Sequence, residues 1–178
     1  PTFELRPQVQ LKLLMTYEEK CRQLSEFGVD QVYEEKVDAD FAQISAHDFF
    51  YKILIDRFRA KVIVVGYDFA FGRKREGDLN LLRSYCQAEK IELEVVAPVM
   101  IDGAVVSSSR IRDLLSQGDV EAAKKLLGNP FFYRSQVVHG DHRGRVLGFS
   151  TANMHCAEKF ALLPGVYATS VDWQGVRY

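Results

Sequence analysis

The stretch KVIVVG, residues 61–66, places four β-branched residues in a row and stops at a glycine. A short unbroken run of Val and Ile marks a strand of a parallel sheet, covered by helices on both faces. The flanks agree. Upstream, SAHDFFYKILIDRFRA (45–60) opens with Ser45 and Asp48 at capping-box spacing, and Phe49, Ile53 and Phe58 recur at roughly helical intervals. Downstream, GDLNLLRSYCQAEK (77–90) predicts a helix capped by Asp78, and IELEVVAPVM (91–100) predicts the next strand. Earlier still, MTYEEKCRQLSEFG (15–28) pairs Thr16 with Glu19 as a capping box and ends on Gly28, and VDQVYEEKV (29–37) reads as a short strand. Alternating helix and strand predicts an α/β domain with a parallel sheet.

Two short helices follow, SSSRIRDLLSQG (107–118) and DVEAAKKLLG (119–128), separated by a stop at Gly118. From about Phe131 the signals turn to strands and tight turns: YRSQVVHG (133–140), then GVYATSVDWQGVRY (165–178), a hairpin around Asp172–Gly175. A domain boundary is expected near Gly128–Pro130, giving domains 1–127 and 128–178.

Composition bounds the function. Apolar residues are 47% and charged residues 26% of the 178, the profile of a globular protein. Lys and Arg total 23 against 24 Asp and Glu, so no global basic field invites nucleic acid, and any anion site must be local. Cys21, Cys86 and Cys156 are odd in number and far apart, which fits a reducing, cytoplasmic setting rather than a disulfide framework. No apolar run approaches the roughly 18 residues of a membrane span, and no signal-peptide pattern opens the chain. The start, PTFELRP without Met, suggests a piece of a longer polypeptide.

Three stretches carry candidate chemistry. In VVSSSRIRDLL (105–115), serines stand where a helix begins, and Arg110 and Arg112 occupy its first turn, where cations are disfavoured unless an anion binds. An ordinary N-cap with solvated arginines is the other reading. In VVGYDFAFGRKREGD (64–78), the strand ends at Gly66 and the loop presents Asp68, Phe69 and Phe71, where ligands of open α/β sheets bind. Arg73-Lys74-Arg75 is either a phosphate contact or a solvated loop, and the two phenylalanines either line a pocket or plug the core. In HGDHRGRVLGFSTANM (139–154), Gly140, Gly144 and Gly148 let backbone approach a phosphate chain, with charge from Arg143 and Arg145. Thr151 and Asn153, two apart on an extended segment, share a face and offer hard oxygen ligands suited to nucleotide-bound Mg²⁺. A polar hairpin loop is the plainer alternative. His139, His142, His155 and Cys156 match no zinc spacing.

Taken together, GYDFAFGRKREGD, VVSSSRIRDLLSQGDVEAAKKLLGNPFF and VVHGDHRGRVLGFSTANM resemble, in that order, the bacterial bifunctional riboflavin kinase/FMN adenylyltransferases, also called FAD synthetases. The resemblance implies a Rossmann-like nucleotidyltransferase domain followed by the start of a riboflavin-kinase β-barrel. The first would join FMN to the adenylyl group of ATP, giving FAD and pyrophosphate with Mg²⁺. The second would phosphorylate riboflavin from ATP. It implies that Ser108, Ser109 and Arg112 hold ATP phosphates, and that Gly66, Asp68 and Phe69 border the flavin and ATP. In the kinase, Thr151 and Asn153 would hold Mg²⁺ and nucleotide phosphates, under a flap spanning Gly140, Arg143, Gly144 and Gly148. The implied partners are small molecules, with neither nucleic acid nor membrane.

The sequence departs from the family pattern in places. The histidine-bearing G-x-F-D-G-x-H-x-G-H segment is absent, and the kinase carboxylate lies downstream of the T-A-N motif, beyond Tyr178. Both sites are therefore expected to be incomplete here, and the 178-residue chain alone is expected to have neither activity. Ser109 replaces a common Thr, and Ser150 replaces the Pro of G-F-P-T-A-N, which predicts a looser Mg²⁺ shelf. Two alternatives are a Rossmann-like adenylyltransferase for another phosphate-bearing acceptor, and an inactive flavin- or nucleotide-binding protein. GFSTAN argues against the first, and flavin binding without turnover would mark the second.

Overall fold

Chain order gives helix α1 (Tyr17–Glu26), helix α2 (Ala46–Asp48, continuing in π form over Phe49–Arg57), strand β1 (Val62–Gly66), helix α3 (Leu79–Glu89) and strand β2 (Glu92–Val96). The hairpin strands β3 (Met100–Ile101) and β4 (Ala104–Val105) follow, then helices α4 (Ser108–Ser116) and α5 (Val120–Leu127). Four short strands close the sequence: β5 (Val137–Val138), β6 (Asn153–Met154), β7 (Asp172–Trp173) and β8 (Val176–Arg177). The computed structural model describes residues 13–140, 148–149, 151–155, 159 and 162–178. The described residues form two compact units, Tyr17–Val106 and Ser107–Tyr178, with residues 13–16 grouped with the second.

In the first unit, β1 and β2 pair in parallel, with Val62 opposite Glu92 and Gly66 opposite Val96. The mixed α/β class and the parallel pairing are as the sequence indicates. Coverage on both faces is not. Ile63 is buried, but Val62 and Val64 on the opposite face are 51% and 57% exposed. The inner face packs on Ala46, Phe50, Phe71, Leu82 and Cys86, with Val65 and Leu93 beside them. Burying Phe50 and Leu82 contributes on the order of 1.5–3 kcal/mol each. The rings of Phe50 and Tyr85 meet at 5.1 Å, tying α2 to α3. Burial pushes the Cys86 thiol above its ordinary value, which fits a packing role rather than a reactive one.

The helix starts follow their caps. Ser45 Oγ accepts from the Asp48 amide at 3.0 Å and Asp78 Oδ1 from the Leu81 amide at 2.8 Å. Past Asp48 the helix widens, and the Phe58 amide reaches back five residues to Ile53 O. Residues 29–37, expected as a strand, form none. Among the described residues no strand edge pairs with them. Instead Tyr33 packs on Phe58 at 4.7 Å and Glu35 pairs with Arg57 at 2.7 Å.

In the second unit, α4 and α5 bury Ile111, Leu115, Ala123 and Leu126. Both expected stops hold, since Gly118 and Gly128 take φ of 79° and 78°. β5 and β6 pair antiparallel, Val137 with Met154 and Val138 with Asn153. The expected hairpin forms around Gln174–Gly175, with Asp172 opposite Arg177 and Trp173 opposite Val176. Lys159 is a buried cation of this unit, 2% exposed. Its ammonium donates to Phe132 O at 2.6 Å and lies 4.2 Å over the Phe132 ring.

Candidate functional site

At the carboxyl end of β1 the chain turns sharply. The Tyr67 amide still bonds Val96 O, and the Phe69 amide donates to Gly66 O at 3.1 Å. At Gly66 an added Cβ would sit 3.3 Å from Asp68 Oδ1, a close contact that a small shift of the Asp68 side chain would relieve. Gly66, Asp68 and Phe69 are thus brought together, with the Asp68 carboxylate exposed. Phe71 is a core residue stacked on the half-buried Phe69 at 5.6 Å. Of the two sequence readings, the core plug describes Phe71, and Phe69 is half-buried against the same core.

The rest of this loop is braced. Phe71 and Gly77 exchange backbone hydrogen bonds of 3.0 and 2.9 Å. Glu76 Oε1 accepts from the Ala46 amide at 2.7 Å, and Glu76 Oε2 from Arg73 Nε at 3.1 Å. The amide first and the guanidinium second hold the Glu76 carboxyl below the ordinary glutamate range. A Cβ at Gly72 would fall 2.5 Å from the Ala46 nitrogen.

In the second unit, the start of α4 collects Ser108, Ser109 and Arg112. Ser107, not either neighbour, is the N-cap, its Oγ accepting from the Arg110 amide at 3.3 Å. The Ser108 and Ser109 residues are exposed at the positive end of the helix. The sequence flagged all three serines together. Which one caps becomes visible only once the helix start is fixed.

Gly140 and Asn153 meet on β5–β6. A Cβ at Gly140 would overlap the Asn153 amide, lying 2.8 Å from its Cγ. Ser135 Oγ donates to His155 O at 2.5 Å and pins the exit of β6. Thr151 and Asn153 are exposed, and Gly148 has φ of 83°. Arg143, Gly144 and Ser150 lie outside the described residues. Sequence reasoning missed the roles of Glu76, Ser135 and Lys159. All three act across long sequence separations, which no local pattern reports.

Among the described residues no group of three or more His, Cys, Asp or Glu could hold a metal ion, and no helix is long and apolar enough to cross a membrane. The family model of FAD synthetase matches residues 1–110, more than half of the chain. The chain belongs to the FAD synthetase family. A riboflavin kinase model matches residues 127–178 of this FAD synthetase family member. The bifunctional riboflavin kinase/FMN adenylyltransferase of Escherichia coli is 37% identical over 153 residues, 86% of this chain and 49% of that protein. Its counterpart in Listeria monocytogenes is 33% identical over 183 residues, 98% of this chain and 57% of that protein. The crystal structure of a macrolide-efflux protein from Streptococcus pneumoniae aligns with TM-score 0.88 at 33% identity, over 100% of this chain and 58% of that one. The chain spans about half the length of the curated relatives it matches.

Proposed function

We propose that the protein to which this chain belongs makes FAD from riboflavin in two ATP-dependent transfers. Two family models matching one chain in series, residues 1–110 and 127–178, carry this reading. They support a functional division near residue 127 and a role for riboflavin, FMN and ATP as small-molecule substrates. In the adenylyl transfer, the FMN phosphate displaces pyrophosphate from the α-phosphate of ATP. Ser108 and Ser109 hydroxyls and the Arg112 guanidinium would hold the phosphates, at a helix start already suited to anions. Gly66, Asp68 and Phe69 would border the flavin and nucleotide. Such transfers run mainly on positioning and charge neutralisation, which these residue types supply.

In the kinase step, the riboflavin 5′-hydroxyl takes the γ-phosphoryl of ATP. Gly140, Arg143, Gly144 and Gly148 would flank the nucleotide, with Thr151 and Asn153 toward Mg²⁺. The donor set fits that ion: a hydroxyl and an amide oxygen are hard ligands, and the bare Gly140 leaves Asn153 its place. Bound Mg²⁺ would neutralise phosphate charge. The cysteine usage supports a cytoplasmic setting.

The test is a time course with the full-length protein, riboflavin, ATP and Mg²⁺, followed by chromatography. FMN is expected first and FAD later. No flavin nucleotide from the full-length protein would sink the reading.

A further inference from the structure

Residues 72–77 form a tightly turned loop, closed by the Arg75 amide on Gly72 O at 3.1 Å and the Glu76 amide on Arg73 O at 3.0 Å. Its base is pinned by the Phe71–Gly77 pair, and its sides by Glu76 on the Ala46 amide and by the Arg73 amide, which donates to Ile44 O at 2.7 Å. Held in that frame, Lys74 and Arg75 take successive left-handed φ values of 50° and 61°. Residues with a Cβ are disfavoured there, and glycine is the undemanding choice. The tip instead reads Arg73-Lys74-Arg75, three exposed cations in a row. Only Arg73 is built into the brace, through Glu76. Lys74 has no partner among the described residues. Arg75 reaches the Asp68 carbonyl at a long 3.4 Å.

A supported but strained backbone carrying cations that do little for packing marks a functional choice. We infer that Lys74 and Arg75 form a binding site for a condensed phosphate chain, the triphosphate of a nucleotide or free pyrophosphate. Adjacent like charges are relieved best by a ligand carrying several negative charges, and a guanidinium fork matches phosphate oxygens in pairs. Glu76 is taken up by the Ala46 amide and Arg73, and Asp78 by the Leu81 amide, and three cations on one short loop suit a short polyanion rather than a nucleic-acid backbone. The Arg75–Asp68 contact sets this spot beside residues proposed to border the nucleotide. The choice of phosphate rests on the adenylyltransferase reading, whereas the anion site itself rests on the loop.

Calorimetric titration of the full-length protein with inorganic pyrophosphate, ATP and orthophosphate tests this. Wild type is compared with the double variant Lys74→Gly/Arg75→Gly and with Lys124→Ala, an exposed lysine on α5. The double variant is expected to bind pyrophosphate and ATP at least about tenfold more weakly, with an equal or higher melting temperature. The Lys124 variant is expected to match wild type. Unchanged pyrophosphate affinity in the double variant overturns the site, and so does a lowered melting temperature. Orthophosphate binding as tight as pyrophosphate overturns the condensed-chain claim. FAD formation by wild type is followed in parallel. Pyrophosphate binding that depends on the two cations, without FAD formation, keeps the site and removes the adenylyltransferase reading. FAD formation with insensitive pyrophosphate binding does the reverse.

Discussion

The carboxylate of Glu76 accepts a hydrogen bond from the amide of Ala46 at 2.7 Å, across 30 positions of sequence. Ala46 is the first residue of α2, and its amide is one of the donors a helix leaves unpaired at its start. The same carboxylate pairs with Arg73, so one side chain ties the loop after β1 to the helix before it.

That bond sets a pH dependence. The Glu76 carboxyl is held below its ordinary value in the folded protein, so its contribution is fully present above that value. It is lost as pH falls through the lowered folded value. The melting temperature of wild type is expected to exceed that of Glu76→Ala at neutral pH. The gap should narrow on acidification below about pH 4.3. Curves that stay parallel to low pH would show that the carboxylate is not the latch.

Gly72→Ala is expected to be far more damaging than its size suggests. The glycine has φ of 72°, and an added Cβ would meet the Ala46 nitrogen and Cα, backbone atoms that cannot rotate away. Denaturant unfolding should show a loss of about 2–4 kcal/mol. A loss within experimental error of zero would mean that the loop and α2 separate easily.

The serines at the start of α4 should divide by role. Ser107→Ala removes the cap and should cost about 1 kcal/mol of stability, leaving the KM for ATP unchanged in the full-length protein. Ser109→Ala should leave stability unchanged and raise that KM by about tenfold, the scale of one hydrogen bond to a charged group. The opposite pattern in unfolding and steady-state kinetics would exchange the two assignments.

Gly140→Ala pushes against the Asn153 amide. In the full-length protein it should weaken Mg²⁺–ADP binding by about tenfold, as displacement of a ligand's support does at other metal sites. FMN adenylylation should be unchanged. Titration calorimetry with intact affinity would remove Asn153 from the proposed shelf.

What could be read from sequence was local. Ser45, Asp78, Gly118 and Gly128 act within a turn of their own position, and their caps and stops are where the pattern places them. The hairpin at Asp172–Gly175 is equally local. Residues 29–37 misled because a valine-spaced segment becomes a strand only when an edge is present to pair with it. Here Tyr33 and Glu35 dock by side chain on the end of α2. The π form of 49–57 was invisible, since Phe49, Ile53 and Phe58 fit helical spacing loosely whether the chain closes four residues back or five. At the candidate sites, residue types were legible and their division of labour was not. Ser107 against its neighbours, and Phe71 against Phe69, are separated only by geometry.

Trp173, in the hairpin of the second unit, is the sole tryptophan and is 58% exposed. The first unit has no tryptophan and carries five of the eight tyrosines, Tyr17, Tyr33, Tyr51, Tyr67 and Tyr85. Indole emission therefore reports on the second unit alone, whereas tyrosine emission draws on both, with no label required. Melting followed at the two wavelengths would resolve whether the halves of the chain come apart in one transition or in two.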